Sequence, residues 1–258
     1  WRFVPLLEAF NKQGEVCGTP AAIIINQAGG TAGSQIASFA LPASSFENQA
    51  LLDLVAQVAV RMRDRVFLFE GGAEYFAYFQ GEEVKLGARL AATGSASSTS
   101  TAKPAAVKFF VTSDIGTEFE MTVALKDGKA ETTWKPGQFA KRTYEVLCTL
   151  VDSGGNLLDM LRHPLLVWEP ARDPQFMQIS NGRFYLRGKP WYAHGVNYMP
   201  SSGIGTEDGE YFEYWMGSQP YDPVIIERDL SRVEAMGFNC VSIFCYYRSL
   251  DSRNLLDI

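Results

Sequence analysis

The stretch over 191–246 constrains the fold more than any other part of this chain. It opens with a strand-like run over 191–198, passes through a long connection and reaches Asp222-Pro223. That dipeptide is a helix start, with Asp as the N-cap and Pro at the first helical position, where a missing N–H costs nothing. Ile226, Leu230, Val233 and Met236 then fall on one helical face, and Gly237 ends the helix. A near-continuous apolar run follows over 240–246. A strand buried on both faces reads this way. The order strand, helix, buried strand predicts a βαβ unit of a parallel sheet.

Two other textures precede it. Residues 1–72 read as α/β: apolar runs over 3–10 and 21–25 flank turn chemistry over 11–14. Ser44 and Glu47 have capping-box spacing. Leu51, Val55, Val58 and Met62 share one face, which predicts a helix over 46–62. A short buried strand over 66–69 follows, closed by Gly71-Gly72. Residues 73–170 change to short strand-like runs over 75–79, 84–90, 106–111, 119–125, 144–151 and 161–167. Turns at Lys126-Asp127-Gly128, Lys135-Pro136-Gly137 and Asp152-Ser153-Gly154-Gly155 separate several of them. Tyr144, Val146, Cys148 and Leu150 lie on one side of their strand. That pattern predicts an immunoglobulin-like β-sandwich, with Trp134 and Trp168 in its core. The third region, 171–258, begins with a hairpin at Asn181-Gly182, a dipeptide suited to the two positive φ angles of a type I′ turn.

Composition narrows the chemistry. The net charge is −6, and no block of Lys or Arg is present. Nucleic acid and anionic membrane are therefore not expected partners, because phosphate contacts need clustered positive charge. No apolar run reaches the ~18 residues of a membrane span. The only histidines are His163 and His194, and the four cysteines (Cys17, Cys148, Cys240, Cys245) lack metal-like spacing, so neither metal nor cofactor is expected. Cys240 and Cys245 sit in an apolar run and read as buried hydrophobes, with a disulfide between distant cysteines left open.

The string from Gly182 to Pro190, followed by His194-Gly195-Val196-Asn197-Tyr198-Met199-Pro200, resembles the barrel entrance of β-galactosidase- and cellulase-type glycoside hydrolases. Glu227-Arg228-Asp229-Leu230 and Met236-Gly237-Phe238-Asn239, then the strand from Cys240, continue the resemblance in the same order over about 176–258. It implies a (β/α)8 barrel, of which this chain holds the first βαβ unit, and a carbohydrate substrate. It also implies two catalytic carboxylates on strands four and seven, beyond residue 258. No carboxylate here is therefore expected to be catalytic, and this piece alone is not expected to be active. Asp229 and Glu227 read as solvated or salt-bridged.

Barrel sites lie at the C-terminal ends of the strands. Asn197 and Tyr198 close the first strand, and Tyr246, Tyr247 and Arg248 end the second. The connection over 199–221 carries Tyr211, Phe212, Tyr214 and Trp215 interleaved with Glu207, Asp208, Glu210 and Glu213. Aromatic faces stack on sugar rings and carboxylates accept from hydroxyls, so this connection suits a sugar subsite. Packing of Phe212 and Trp215 onto the rim is the other reading. The expected substrate-binding residues are Asn197, Tyr198, Trp215 and Tyr246. Many relatives carry an Arg on the second strand where this chain has Ser242, read as a structural Ser; the departure argues against close kinship with the cellulase-type branch and leaves open a subfamily with altered substrate or no activity. The alternative to a hydrolase is a non-catalytic carbohydrate-binding or scaffolding protein on a decayed barrel.

Residues 1–72, and Phe67-Leu68-Phe69-Glu70-Gly71-Gly72 within them, resemble the tail of a glutamine-amidotransferase-like domain. Cys17 lies in a strand–turn region without a helix behind it, and neither histidine falls here, so the region reads as structural. The expected fold class is thus α/β plus all-β: an α/β domain (1–72), a β-sandwich (73–170) and the start of a barrel (171–258). Residues after about 174 are expected to be poorly packed, or to rely on the sandwich or another chain for cover. A self-contained adhesion-type sandwich is a third reading; it predicts no βαβ unit over 222–246.

Overall fold

The computed structural model describes residues 2–14, 16–27, 29–91, 103–201, 214–218 and 220–258. It divides into two units, one of Trp1–Glu74, Glu83–Lys135 and Tyr144–Pro164, the other of Tyr75–Glu82, Pro136–Thr143 and Leu165–Ile258. The chain is mostly β-strand in several sheets, with few helices.

The first unit opens with β1 (Arg2–Phe10), β2 (Val16–Ile25) and β3 (Gln35–Phe39), an antiparallel meander. Helix α1 (Gln49–Asp64) covers it, with Val58, Leu54 and Met62 packed on Ile23, Ile25 and Phe67. The helix starts later than the sequence predicts. Asn48 is the N-cap, its side chain accepting from the Ala50 amide, and Ser44 and Glu47 lie in a preceding 3-10 turn. The links between β1, β2 and β3 are short, as an antiparallel meander allows.

Strand β4 (Leu68–Ala73) contains Gly71-Gly72 and pairs antiparallel with β6 (Val84–Leu90), so these glycines lie inside a sheet and do not close a region. Strand β6 also pairs with β9 (Lys129–Trp134). The facing sheet carries β7 (Pro104–Ser113), β8 (Gly116–Ala124), β10 (Thr143–Asp152) and β11 (Leu157–Val167), in the order β11-β10-β7-β8. Along β10, Tyr144, Val146, Cys148 and Leu150 are all buried, the side expected from the alternation. The two sheets meet face to face: the Trp134 and Tyr144 rings cross at 5.3 Å, and Gly71 lies against Cys148 and Leu161. Burial pushes the Cys148 thiol up to about 12.

A buried ionic knot ties this unit together. Asp159 on β11 accepts from Arg2 on β1, from Arg61 on α1, and from the Leu68 amide on β4 at 2.8 Å. Arg2 also donates to the carbonyls of Leu68 and Met160. One carboxylate thereby joins four elements.

In the second unit β5 (Ala77–Tyr78) pairs in parallel with the end of β11, Leu166 opposite Ala77 and Val167 opposite Tyr78. Two hairpins follow, β12 (Gln178–Ser180), β13 (Arg183–Leu186) and β14 (Lys189–Trp191). Their turns place Asn181-Gly182 and Arg187-Gly188 at positive φ, as type I′ turns require. Next come β15 (Gly195–Asn197), α2 (Pro223–Ala235) and β16 (Cys240–Ser242). Strands β15 and β16 are parallel, with Gly195 opposite Cys240, Val196 opposite Val241 and Asn197 opposite Ser242. This is the βαβ unit the sequence predicts, and it removes the main expectation of the adhesion-type reading.

The run over 191–198 is not one strand. Trp191 pairs with Phe184 in the hairpin, whereas Gly195–Asn197 pairs with β16, so the chain changes partners between them. The second strand is also shorter than its apolar run: among the described residues β15 is its one neighbour, and the Tyr198 amide donating to the Ser242 carbonyl follows the last rung. Large apolar side chains are exposed here, among them Phe176 (75%), Ile179, Tyr192 (73%), Val224, Met236 and Phe244. Met236, at the C-terminal end of the predicted α2 face, is exposed. All four cysteines are free, and Cys245 is exposed, not the buried hydrophobe its run suggests. Among the described residues no helix is long and apolar enough to cross a membrane.

Candidate functional site

The ends of β15 and β16 lie side by side because the pair is parallel. Asn197 is exposed at the end of β15, opposite Ser242. The next residue, Tyr198, alternates to the other face and is buried. Its ring meets Trp215 edge to face, centroids 5.6 Å apart and planes at 85°. Trp215 is 1% exposed and packs with Met216, Tyr221 and Ile226, with Phe76, Leu230 and Ile243 around them. The indole therefore packs beneath the strand end. Tyr246 is half-buried at the start of a 3-10 turn over Tyr247–Ser252. The structure brings Tyr198 and Trp215 into contact and places Asn197 beside that pair in the chain. Glu207, Asp208, Glu210, Tyr211, Phe212 and Glu213 lie outside the described residues.

Asp229 organises the base of this region. It is buried on α2 and accepts from the Ser201 amide at 2.7 Å and the Ser201 hydroxyl at 2.9 Å. Arg228 reaches the same carboxylate at 3.0 Å. Burial opposes its charge, yet the Ser201 amide, Arg228 and the Ser201 hydroxyl outweigh it, and the carboxyl titrates below its ordinary range. Burial, followed by the nearby Asp229 charge, raises the Tyr198 phenol well above its usual pKa, so it stays neutral. Tyr221 donates to Asp257 at 2.6 Å. Burial raises that carboxyl; the Tyr221 hydrogen bond opposes the rise and the Glu227 charge adds to it. Tyr221 itself is raised by burial and by Asp257.

The sequence reading missed Ser201, Ser252, Asn254 and Asp257 as parts of this framework. For Asp229 a signal existed: it falls between Ile226 and Leu230 on the apolar stripe of α2, where an acid must be hydrogen-bonded to be tolerated. Ser252 ends one short 3-10 segment and Asn254 opens the next, neither with periodicity, which leaves nothing to read. Trp134 is buried in the sandwich. Trp168 is half-buried against Phe79, ring centroids 5.7 Å apart. No group of three or more His, Cys, Asp or Glu side chains able to hold a metal occurs among the described residues.

No family model and no curated protein sequence matches the chain. Solved structures similar to it are glycoside hydrolases at low identity. A β-glucuronidase from Ruminococcus gnavus, in complex with an N1-substituted uronic isofagomine, is 12% identical, with a TM-score of 0.31 over 75% of this chain and 29% of that one. The Parabacteroides merdae β-glucuronidase, with glycerol in its active site, is 14% identical, TM-score 0.34, over 75% and 23%. A Bacteroides fragilis protein described as a putative β-galactosidase is 15% identical, TM-score 0.30, over 76% and 27%. This chain spans less than a third of the length of each of these proteins.

Proposed function

We propose that this chain supplies the first part of a carbohydrate-binding mouth in a protein that hydrolyses glycosidic bonds. The parallel register of β15 and β16, connected through α2, carries the reading: it puts Asn197 and the residues after Ser242 at one edge, as the opening pair of a (β/α)8 barrel does. The exposed apolar side chains of Val241, Phe244, Val224 and Met236 are the surface that further strands and helices of a closed sheet would cover. Asn197 and Tyr246 are the residues assigned to sugar hydroxyls and ring faces. Tyr198 and Trp215 support them from below. No carboxylate of this chain is assigned to proton transfer or nucleophilic attack.

Ser242 favours a second reading, a non-catalytic carbohydrate binder. It faces Asn197 across the pair, where many of the resembling hydrolases carry an Arg. Assay of the full-length protein against aryl glycosides, with calorimetric titration of neutral oligosaccharides, separates the two. Turnover supports the hydrolase. Saturable binding without turnover supports the binder, and neither signal sinks both. Under either reading Asn197→Ala weakens oligosaccharide binding and leaves thermal unfolding near wild type, because the side chain is exposed.

A further inference from the structure

The connection between β15 and α2 is held at two feet by buried polar side chains from different elements. At the first foot Ser201 is gripped by Asp229 through both its amide and its hydroxyl, and Arg228 donates to that hydroxyl at 2.6 Å. At the second, the Met216 carbonyl accepts from the Ser252 hydroxyl at 2.7 Å and from the Asn254 side-chain Nδ2 at 2.9 Å. Asn254 also reaches the Gly217 carbonyl at 3.3 Å. Asp229 is 8% exposed and Asn254 1%. Arg253, between Ser252 and Asn254, has φ +61°, a left-handed turn that brings both neighbours onto one carbonyl. Its guanidinium lies 4.5 Å from the Tyr75 ring centre and pairs with Glu82 at 2.8 Å. Trp215 adjoins the second foot and Tyr198 lies three residues before the first, so both partners of the aromatic pair are tethered.

We infer that Asp229 and Asn254 are positioning residues that fix the Tyr198–Trp215 pair behind Asn197 and so set the shape of the proposed sugar-facing mouth. The link to sugar rests on the function proposed above; the anchoring of the two feet does not. Asn254→Ala takes one of two donors from the Met216 carbonyl and the Asn254 donor from the Gly217 carbonyl, and Asp229→Ala takes the acceptor from the Ser201 amide. Losing a buried hydrogen bond in this way costs about 1–3 kcal/mol. On that scale the local opening equilibrium rises by about tenfold or more.

Hydrogen exchange of the whole chain, read by mass spectrometry on short peptides, tests the anchors. Asn254→Ala is expected to speed exchange at residues 214–218 by about tenfold, and Asp229→Ala at residues 198–201 by a similar factor. Exchange in the sandwich strand over 144–150 stays at the wild-type rate. Asp229→Asn, which keeps an acceptor for the Ser201 amide, restores most of the protection. Ser252→Ala, a milder change at the second foot, covers the case in which Asn254→Ala does not fold. Wild-type exchange at both feet, or equal acceleration throughout the chain, overturns the assignment. Titration of the same proteins with lactose and cellobiose reads the mouth. Weaker binding in the anchor variants supports the positioning role. Local loosening with unchanged affinity overturns it, and failure of the wild type to bind any neutral sugar sinks the site reading while the anchoring stands.

Discussion

The amide of His194 donates to the side-chain carbonyl of Asn239 at 2.9 Å, and Asn239 returns its own side-chain N–H to the Tyr192 carbonyl at 2.8 Å. The backbone closes the same bridge, because the Asn239 amide donates to the His194 carbonyl at 2.9 Å. Asn239 thus occupies the gap where the chain leaves the β13–β14 hairpin and joins β16. A carboxamide is what the gap needs, since it must offer one acceptor and one donor at once. The bridge sits one residue before the Gly195–Cys240 pairing and so sets the register of the parallel strands.

Asn239→Ala removes both side-chain bonds. Because they are exposed, the loss is expected to be about 1–2 kcal/mol in total. The check is a lowered urea midpoint together with faster exchange of the amides over 195–197. Asn239→Asp, which keeps the acceptor and loses the donor, falls between wild type and Ala. An unchanged midpoint in Asn239→Ala would remove the register role.

Asp159 offers a larger effect in the first unit. Replacing it by Ala strands Arg2 and Arg61 and leaves the Leu68 amide without an acceptor. Breaking a buried pair from one side costs about 3–5 kcal/mol, well above the loss from any exposed pair such as Arg162 with Glu145. Paired chemical denaturation of Asp159→Ala and Glu145→Ala measures the difference. Equal midpoints for the two variants would contradict a central place for Asp159.

These examples also show what the sequence could disclose. The βαβ unit was legible because Asp222-Pro223, the Ile226–Leu230 stripe and Gly237 are local signals that agree with one another. The strands with clear alternation, Val84–Leu90 and Thr143–Asp152, were legible for the same reason. Strand Gln35–Phe39 was not: its QIASF string has no strong alternation, and it becomes a strand by pairing with β2. Gly71-Gly72 looked like a stop, yet glycine is there because a sheet passes close to another side chain. In the site, Asn197 and Tyr198 were legible as a strand end. Which of the two faces inward depends on where the strand begins. Trp215 is buried among Tyr198, Tyr221, Ile226 and Phe76, which come from separate parts of the chain, and no local pattern carries that information.

Gly72 tests the close approach. It has φ +143°, and a Cβ built there overlaps the His163 side chain. Gly72→Ala therefore combines backbone strain with overpacking and is expected to cost about 2–3 kcal/mol or more. Gly81 is the control, with φ +84° and open space around its position, so Gly81→Ala suffers from the backbone alone, about 1–2 kcal/mol. His163→Ala placed in the Gly72→Ala background should recover part of the loss, because the obstructing ring is gone. Urea midpoints of the four proteins give the comparison. Absence of any recovery would mean that the His163 ring is not the cause and would leave the loss to the backbone and to the His163 Cβ, which stays against the added methyl.

His163 also makes the stability of the fold depend on pH. Burial lowers its pKa to about 4, against 6.5 for the ordinary imidazole. As pH falls, the unfolded chain takes up the proton first, so protonation drains the folded state. The contribution is complete above about pH 6.5, declines between about 6.5 and 4, and is fully lost below that window. At 1.36 kcal/mol per pKa unit the ceiling is about 3 kcal/mol. His163→Gln cannot titrate and should flatten this part of the stability curve. Unfolding free energies of both proteins at pH 7.5, 6, 5 and 4 provide the measurement. The wild type is expected to lose more than the variant between pH 6.5 and 4, and parallel curves across that interval would show that His163 is not held neutral by burial.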